Sequence, residues 1–134
     1  MQEQETTRLV QQAYQNFKTG DIPALLNLLT DEVQWHLPDI ENVPFSGRRQ
    51  GRAKVAEFFS LLASQQEVLQ FEPREFVAQG DKVVALGYYW WRAKATGREY
   101  GGDFAHVFTV QDGRVSHFHE YMDTAAAAHA HATT

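Results

Sequence analysis

The stretch DGRVSHFHEYMD, residues 112–123, concentrates side chains that could carry chemistry. Side chains alternate along a strand, so a strand in this position presents two different faces. One face carries two imidazoles and a phenol: His117, His119 and Tyr121. The other carries a carboxylate between two apolar side chains: Phe118, Glu120 and Met122. The first face could bind a metal ion and the second could perform acid/base chemistry, so the function depends on which face lines a pocket.

The metal hypothesis needs a third imidazole, which His106 on the preceding strand could supply. Three imidazoles around one ion would resemble some catalytic zinc sites. A two-residue turn at Asp112-Gly113 would pair His106 with His119 and so favour this arrangement. The sequence offers no evident group to orient these imidazoles from behind, as metal-binding histidines usually require. We therefore predict no metal and no cofactor, and keep the three-histidine site as the alternative.

The composition restricts the class of protein. A chain of 134 residues with 43% hydrophobic and 13% aromatic residues predicts one globular domain with a substantial core. Its net charge of −5 and its scattered basic residues disfavour a nucleic-acid partner, because that binding depends on neutralising phosphates. The sequence has no cysteine, and no segment approaches the roughly 18 apolar residues of a membrane span. We expect a cytoplasmic protein that binds neither nucleic acid nor a membrane.

Three helices should come first and most of the strands afterwards. Apolar residues recur at helical spacing over 4–19 and 52–64, and Asp21 can cap a short helix between them. Residues 33–37 alternate like a strand, and 39–51 are predicted to form a loop. The remaining patterns indicate four strands joined by turns: 71–78, 83–94, 99–110 and a last strand from residue 114.

These elements predict an α+β fold in which three N-terminal helices pack on the concave side of a curved antiparallel sheet. The resulting cone would form one domain over 1–134, with its ordered core at about 5–124. The Ala- and His-rich residues 125–134 indicate a tail or a frayed helix, so we assign no functional role to its histidines. Pro73 cannot donate a ladder hydrogen bond and should mark a sheet edge or a bulge.

The order of elements, together with LLTDEVQWHLP near the start and VFTVQDGRVSHFHEYMD near the end, resembles the nuclear transport factor 2-like superfamily. Within it, the sequence is similar to the SnoaL-like polyketide cyclases, the ketosteroid isomerases and the limonene epoxide hydrolases. The resemblance covers roughly residues 5–124 and implies a deep conical pocket between the helices and the sheet. It implies a cofactor-independent isomerase, cyclase or lyase acting on a carbonyl-bearing apolar substrate, or a non-catalytic small-ligand-binding module with the same cavity.

The resemblance also assigns the faces of the last strand. It places Phe118, Glu120 and Met122 in the pocket, with His106 on the same side of the neighbouring strand, where ketosteroid isomerases have an oxyanion-binding Asp. His106 and Glu120 would then be neighbours, with His106 as acid/base or oxyanion donor and Glu120 as its partner. Keeping both strands in this phase requires an odd loop, Gln111-Asp112-Gly113, with a bulge at Gly113.

The sequence departs from both characterised mechanisms. Leu37 stands where the isomerases have their general base, and Ala13 where they have their oxyanion-hole Tyr. The water-binding Tyr and Asn of the epoxide hydrolases fall on Trp35 and Leu37, and their Arg and Asp on Gly87 and Tyr89. Neither reaction is therefore expected to use its usual residues. Leu37 favours the binding module, whereas the buried carboxylate of Glu120 favours catalysis, because an isolated buried carboxylate is costly.

The pocket should be an aromatic chamber suited to a small, flat, apolar or aromatic ligand. We predict that its walls are formed by Trp35, Leu37, Phe58, Tyr89, Trp91, Phe104, Phe118 and Met122. Tyr14 on the first helix belongs to the same wall, and we interpret it as a core residue rather than a hydroxyl donor.

The opposite face of the sheet carries a second group of aromatic side chains: Tyr88, Trp90, His117, His119 and Tyr121. A contiguous exposed apolar patch is uncommon on a monomer and typical of an interaction surface. We therefore predict a homodimer formed through this outer face.

Overall fold

The computed structural model describes residues 2–133. Its helices are α1 (Glu3–Thr19), α2 (Ile22–Asn27), α3 (Arg52–Gln65) and α4 (Thr124–His131). Its strands are β1 (Leu29–His36), β2 (Arg48–Gln50), β3 (Gln66–Gln79), β4 (Lys82–Ala93), β5 (Glu99–Gln111) and β6 (Arg114–Tyr121). The fold is α+β, as predicted, with the helices packed on one face of a curved sheet.

Local sequence signals explain the first two helices. Helix α1 ends at Gly20, which has the left-handed φ of 78° that glycine adopts without steric cost. The Asp21 side chain then accepts a hydrogen bond from the Ala24 N–H (3.2 Å) and so caps α2. Pro23 lies in the first turn of α2, where no intrahelical N–H is needed. Among the described residues, no helix is both long and apolar enough to cross a membrane.

The sheet has the order β2-β1-β6-β5-β4-β3 and is mixed rather than purely antiparallel. All neighbouring pairs are antiparallel except β1 and β6, which run parallel with Trp35 opposite Phe118. The prediction of an antiparallel sheet is wrong at this pair. Hairpin connections impose antiparallel pairing, but four strands and α3 lie between β1 and β6 in sequence, so no hairpin constrains the direction of this pair.

The predicted loop 39–51 contains the short strand β2, which pairs with β1 at the sheet edge. Three residues are too few to show a strand period, so periodicity could not predict this strand. At the opposite edge, β3 starts earlier than predicted, directly after α3. Its register shifts between Pro73 and Glu75, which confirms that Pro73 lies on an edge strand and at a bulge.

The turn between β5 and β6 fixes which side chains of β6 face the helices. Asp112 and Gly113 form a two-residue turn with φ values of 52° and 77°, so the predicted three-residue loop is wrong. The register shifts between Thr109 and Val110, because Ser116 is an extra residue on β6. This bulge keeps Phe118 and Glu120 on the helix side of the sheet, whereas the two-residue turn alone would turn them outward.

The core lies between the helices and the concave face of the sheet. The largest fully buried side chains are Leu29, Val10, Val33, Val55, Val83, Val115 and Thr6. Burying a Val or Leu side chain contributes about 1.5–3 kcal/mol, so these positions hold α1 and α3 against the sheet.

The C-terminal residues up to 133 are not the separate tail that the sequence predicts. Asp123 caps α4 through the Ala126 N–H (3.0 Å), and the Arg98 side chain donates to the His129 carbonyl (2.8 Å). His131 is 4% exposed and lies near the hydroxyl of Tyr100 (Nε2 to OH 3.3 Å). The sequence of α4 does not predict this docking, because a run of alanines shows no alternation between apolar and polar faces.

The docking of α4 should depend on pH. Burial lowers the pKa of His131 below its ordinary value of 6.5. The unfolded chain then binds more protons than the folded one, so stability should fall as the pH drops below about 6.5. In His131→Gln, the free energy of unfolding measured in urea should decrease less between pH 7.5 and pH 5.5 than in the wild type. His129→Gln, at an exposed position of the same helix, should keep the wild-type decrease; equal slopes in all three proteins would contradict the assignment.

Candidate functional site

His106 on β5 and Glu120 on β6 are directly paired on neighbouring strands, and both side chains point to the helix side of the sheet. The His106 Nε2 and the Glu120 Oε2 are 2.7 Å apart, a distance typical of a charge-assisted hydrogen bond. The His106 side chain is 5% exposed and that of Glu120 is 22% exposed. The predicted neighbours are therefore in contact, with the imidazole enclosed and the carboxylate partly accessible.

Tyr14 on α1 completes a chain of three polar groups. Its hydroxyl lies 2.6 Å from Nδ1 of His106. Burial, and secondarily the charge of Glu120, raise the pKa of Tyr14 well above its usual range, so this hydroxyl stays protonated. In the neutral ring, His106 donates its Nε2 hydrogen to Glu120 and accepts the Tyr14 hydrogen at Nδ1.

The interpretation of Tyr14 as a plain core residue missed this contact. Tyr14 and His106 are 92 positions apart in sequence, and helical periodicity shows only that Tyr14 faces inward. The partner of a hydroxyl on an inward helix face is decided by tertiary packing, which periodicity does not encode. The hydroxyl of Tyr14 could have indicated such a contact, because a buried tyrosine hydroxyl usually requires a hydrogen-bond partner.

Aromatic rings enclose the His106 imidazole. The ring of Phe104 stacks on it with centroids 4.2 Å apart, and Phe118 meets it edge-on at 4.8 Å. Gly87 lies opposite Phe104 in the sheet, and a Cβ there would come within 2.4 Å of the Phe104 ring. With both nitrogens hydrogen-bonded and its ring covered, His106 is held in one orientation.

The cavity between the helices and the sheet has two lobes. The first, called here the α1 lobe, has a volume of about 70 Å³ and includes Tyr14, Trp35, His106 and Phe118 in its wall. The second, called the α4 lobe, has a volume of about 40 Å³. Its wall includes Leu37, Tyr89, Phe104, Met122 and Ala127. Both lobes share Phe58, Leu62, Phe71, Trp91 and Glu120.

The structure thus brings all of the predicted lining residues to the cavity. Phe17, Phe59, Phe71 and Ala127 also line it and were not predicted. Among the described residues, Glu120 is the one carboxylate in the wall of either lobe. It is therefore placed where the lobes share their wall, in otherwise aromatic surroundings.

Three further polar groups on the cavity wall have no hydrogen-bond partner within residues 2–133: Trp35 Nε1, Tyr89 OH and Trp91 Nε1. Burial, then the charges of Glu120 and Asp123, raise the pKa of Tyr89, so its hydroxyl remains protonated. An indole N–H can only donate, so both tryptophans can only donate at these atoms. The wall therefore combines one carboxylate with several unused donors.

The outer face of the sheet holds three histidines of the strands: His36, His117 and His119. The rings of His36 and His119 stack at 4.0 Å between centroids, and Tyr121 stacks on His119 at 4.2 Å. Burial, with His36 and Arg48 nearby, lowers the pKa of His119. His106 lies on the opposite face, so the three-imidazole alternative, which needs His106, His117 and His119 on one face, is wrong.

Comparison with known proteins agrees with this architecture. The family model of the SnoaL-like domain matches residues 10–118. The chain therefore belongs to the SnoaL-like domain family, within the nuclear transport factor 2-like superfamily. No curated protein matches the chain.

Three solved structures are similar over nearly their whole length. A nuclear transport factor 2-like protein from Burkholderia xenovorans LB400 is 31% identical, with 98% of this chain and 99% of that chain covered and a TM-score of 0.91. One of unknown function from Burkholderia pseudomallei K96243 is 27% identical, with coverage of 94% and 96% and a TM-score of 0.85. TerC, co-crystallised with polyporic acid, is 26% identical, with coverage of 95% and 98% and a TM-score of 0.83.

Two tyrosine–histidine pairs offer a matched test of the buried contact. Replacing Tyr14 with Phe removes the hydrogen donated to Nδ1 of His106 and leaves a buried ring nitrogen unpaired. We expect this to cost about 1–3 kcal/mol of unfolding free energy in urea denaturation. In the monomer, where the outer face is exposed, Tyr121→Phe removes the hydroxyl 3.1 Å from Nδ1 of His119 and should cost under about 0.5 kcal/mol. Equal effects of the two substitutions would contradict the buried hydrogen bond.

Proposed function

We propose that the protein is a cofactor-independent acid/base catalyst of the isomerase, cyclase or dehydratase type, acting on a small carbonyl-bearing apolar substrate. The observation that carries this proposal is the position of Glu120, a partly accessible carboxylate on the wall of both lobes. A carboxylate that reaches the wall of an apolar cavity is placed to take a proton from a bound substrate. Membership of the SnoaL-like domain family supports a small-molecule function but names no reaction.

The geometry favours exchanging the two roles that the sequence suggests. His106 has a partner on each ring nitrogen and stacked neighbours, so it has no free polar atom for a substrate. Glu120 uses Oε2 for His106, and no hydrogen bond to its other oxygen is present within residues 2–133. We propose Glu120 as the proton-transferring group and His106 as the positioning residue that orients it, with Tyr14 holding the far side of the imidazole.

The simplest reaction for one carboxylate is a proton transfer between two carbons of the same substrate. The free oxygen of Glu120 takes a proton from the carbon beside a carbonyl, which leaves an enolate and a neutral carboxylic acid. The acid then returns the proton to another carbon of the conjugated enolate, and the double bond moves into conjugation. One group can act first as base and then as acid, so Leu37 in place of a second base is compatible with this cycle.

Two of the similar structures differ in what is known of their ligands. TerC was co-crystallised with polyporic acid, while the Burkholderia pseudomallei protein has unknown function. The TerC complex supports a small organic ligand for this chain, at 26% identity over nearly the whole length. The combined lobes are small, so the substrate we propose is of about single-ring size.

The proposal can be tested with β,γ-cyclohexenone, a single-ring ketone whose isomerisation to the conjugated α,β-enone is followed by ultraviolet absorbance. We expect the wild-type protein to accelerate this reaction over buffer. Glu120→Gln keeps the shape of the side chain but removes the base, and should lower the rate by about a hundredfold or more. Glu72→Gln, which changes an exposed carboxylate paired with Arg74 on β3, is the control and should leave the rate unchanged.

The alternative is a non-catalytic binding module with the same cavity, and Leu37 is the observation that favours it. In that case the ketone would bind without turnover, and Glu120→Gln would change its affinity and nothing else. A wild-type rate retained in Glu120→Gln would remove the carboxylate from the reaction.

We also propose that the protein forms a homodimer through the outer sheet face. Tyr121 is 51% exposed there, next to the stacked rings of His119 and His36. Trp90 on the same face is partly exposed, and its indole N–H donates to Glu99 (2.7 Å). Accessible rings on the outer face of a sheet are typical of an interface.

Substitution of Trp90 by Glu should place an unpaired charge in this interface. We expect the dimer dissociation constant to rise by about tenfold or more, measured by sedimentation equilibrium at micromolar concentrations. Gln11→Glu adds the same charge at an exposed position of α1 and should leave association unchanged. A wild-type protein that sediments as a monomer would refute the proposed dimer.

A further inference from the structure

The α4 lobe contains two hydrogen-bond donors that no residue of 2–133 accepts from. Tyr89 and Trp91 are alternate residues of β4, and their rings meet edge to face with centroids 5.7 Å apart. The Tyr89 hydroxyl and the Trp91 indole N–H are both buried and have no partner within residues 2–133. Leaving a buried donor unsatisfied costs about 1–3 kcal/mol, so two of them in one lobe call for a functional explanation.

The residues that surround the lobe do not satisfy these donors. Leu37, Ile40, Phe45, Met122 and Ala127 present only apolar side chains or sulfur to the lobe. The remaining phenol, Tyr100, already donates to the side-chain oxygen of Gln66. The one carboxylate, Glu120, is hydrogen-bonded to His106 through Oε2, and within residues 2–133 neither of its oxygens accepts from Tyr89 or Trp91. A molecule entering the lobe is therefore the partner that could complete both hydrogen bonds.

We infer that the α4 lobe binds the oxygen-bearing end of a planar carbonyl, enol or phenolic compound, whose oxygen accepts hydrogen bonds from Tyr89 and Trp91. This inference deepens the proposed function, because it names the ligand class and rests on Glu120 for the reaction. An indole N–H only donates, so the recognised atom is an acceptor, which excludes an ammonium group. The lobe of about 40 Å³ holds the oxygen and few carbons, so the rest of the molecule extends into the α1 lobe.

The same placement suits a developing enolate. Glu120 lines the same lobe, so a carbon beside the recognised carbonyl lies toward the proposed base. Two donors fixed in an apolar lobe need little reorganisation when charge develops on that oxygen. Tyr89 and Trp91 would then be catalytic residues that touch the reacting oxygen, in addition to setting specificity.

The test measures binding of 4-nitrophenol by the full-length protein at pH 8, where most of the probe is the phenolate, with nitrobenzene as the probe that lacks the phenolic oxygen. The measurements use the Glu120→Gln variant, in which the carboxylate no longer repels the anion. Tyr89→Phe in this background should weaken 4-nitrophenolate binding about tenfold or more, because hydrogen bonds to a charged group are strong. Trp91→Phe should weaken it in the same direction, and nitrobenzene binding should change little.

Tyr88→Phe is the matched control, since Tyr88 is the adjacent residue on the outer face and contacts Arg74 rather than the cavity. The stability of Tyr89→Phe distinguishes a hydroxyl that binds a ligand from one that stabilises the fold. A hydroxyl without a partner contributes nothing to the fold, so urea denaturation should show the variant to be as stable as its parent or more stable. A structural hydroxyl would lower stability instead.

The outcomes separate this inference from the proposed function. Equal 4-nitrophenolate affinity with and without the Tyr89 hydroxyl, or tighter binding of nitrobenzene than of the phenolate, would overturn the oxygen-recognition site. Loss of affinity in Tyr89→Phe with no isomerisation of β,γ-cyclohexenone by the wild-type protein would retain the site and overturn the catalytic proposal alone.

Discussion

The register between β5 and β6 is the constraint on which the candidate site depends. A two-residue turn at Asp112-Gly113 without any bulge would place His106 opposite His119 and turn Glu120 to the outer face. The extra residue Ser116 shifts the pairing by one, so His106 faces Glu120 and the carboxylate lies inside the cone. One inserted residue thus decides whether the concave side carries a carboxylate or a row of imidazoles.

The buried polar chain follows from this register. A carboxylate inside an aromatic chamber is costly unless a donor approaches it, and His106 supplies that donor. The imidazole is then left with a second nitrogen, which Tyr14 satisfies from α1. The imidazole of His106 therefore links the sheet to α1 through two hydrogen bonds. The orientation of Glu120 thus depends on Tyr14, which lies at the other end of the sequence.

Sequence patterns predicted the fold class and the first three helices, because apolar periodicity reports which side of an element is buried. The resemblance, rather than periodicity, assigned Phe104, Phe118 and Met122 to the cavity. The pairing of His106 with Glu120 followed from the resemblance rather than from periodicity, and its predicted loop was wrong although its face was right. The features that the patterns did not predict depend on contacts between residues far apart in sequence. The parallel pairing of β1 with β6, the contact of Tyr14 and the docking of α4 are all set by tertiary packing.

The charge of Glu120 also affects the other polar groups of the cavity. Burial raises the pKa of Tyr14 and of Tyr89, and the nearby carboxylate raises both further. Burial, together with Tyr89 and Glu120, does the same for Tyr100. These phenols therefore stay protonated over the pH range in which a carboxylate exchanges protons, and they act there as donors. In the proposed reaction Glu120 therefore takes the proton from the ligand, while the neighbouring phenols and indoles donate hydrogen bonds to its oxygen. The proposed enolate formation would use this division of roles, because one proton acceptor removes the hydrogen while fixed donors stabilise the charge that develops on the oxygen.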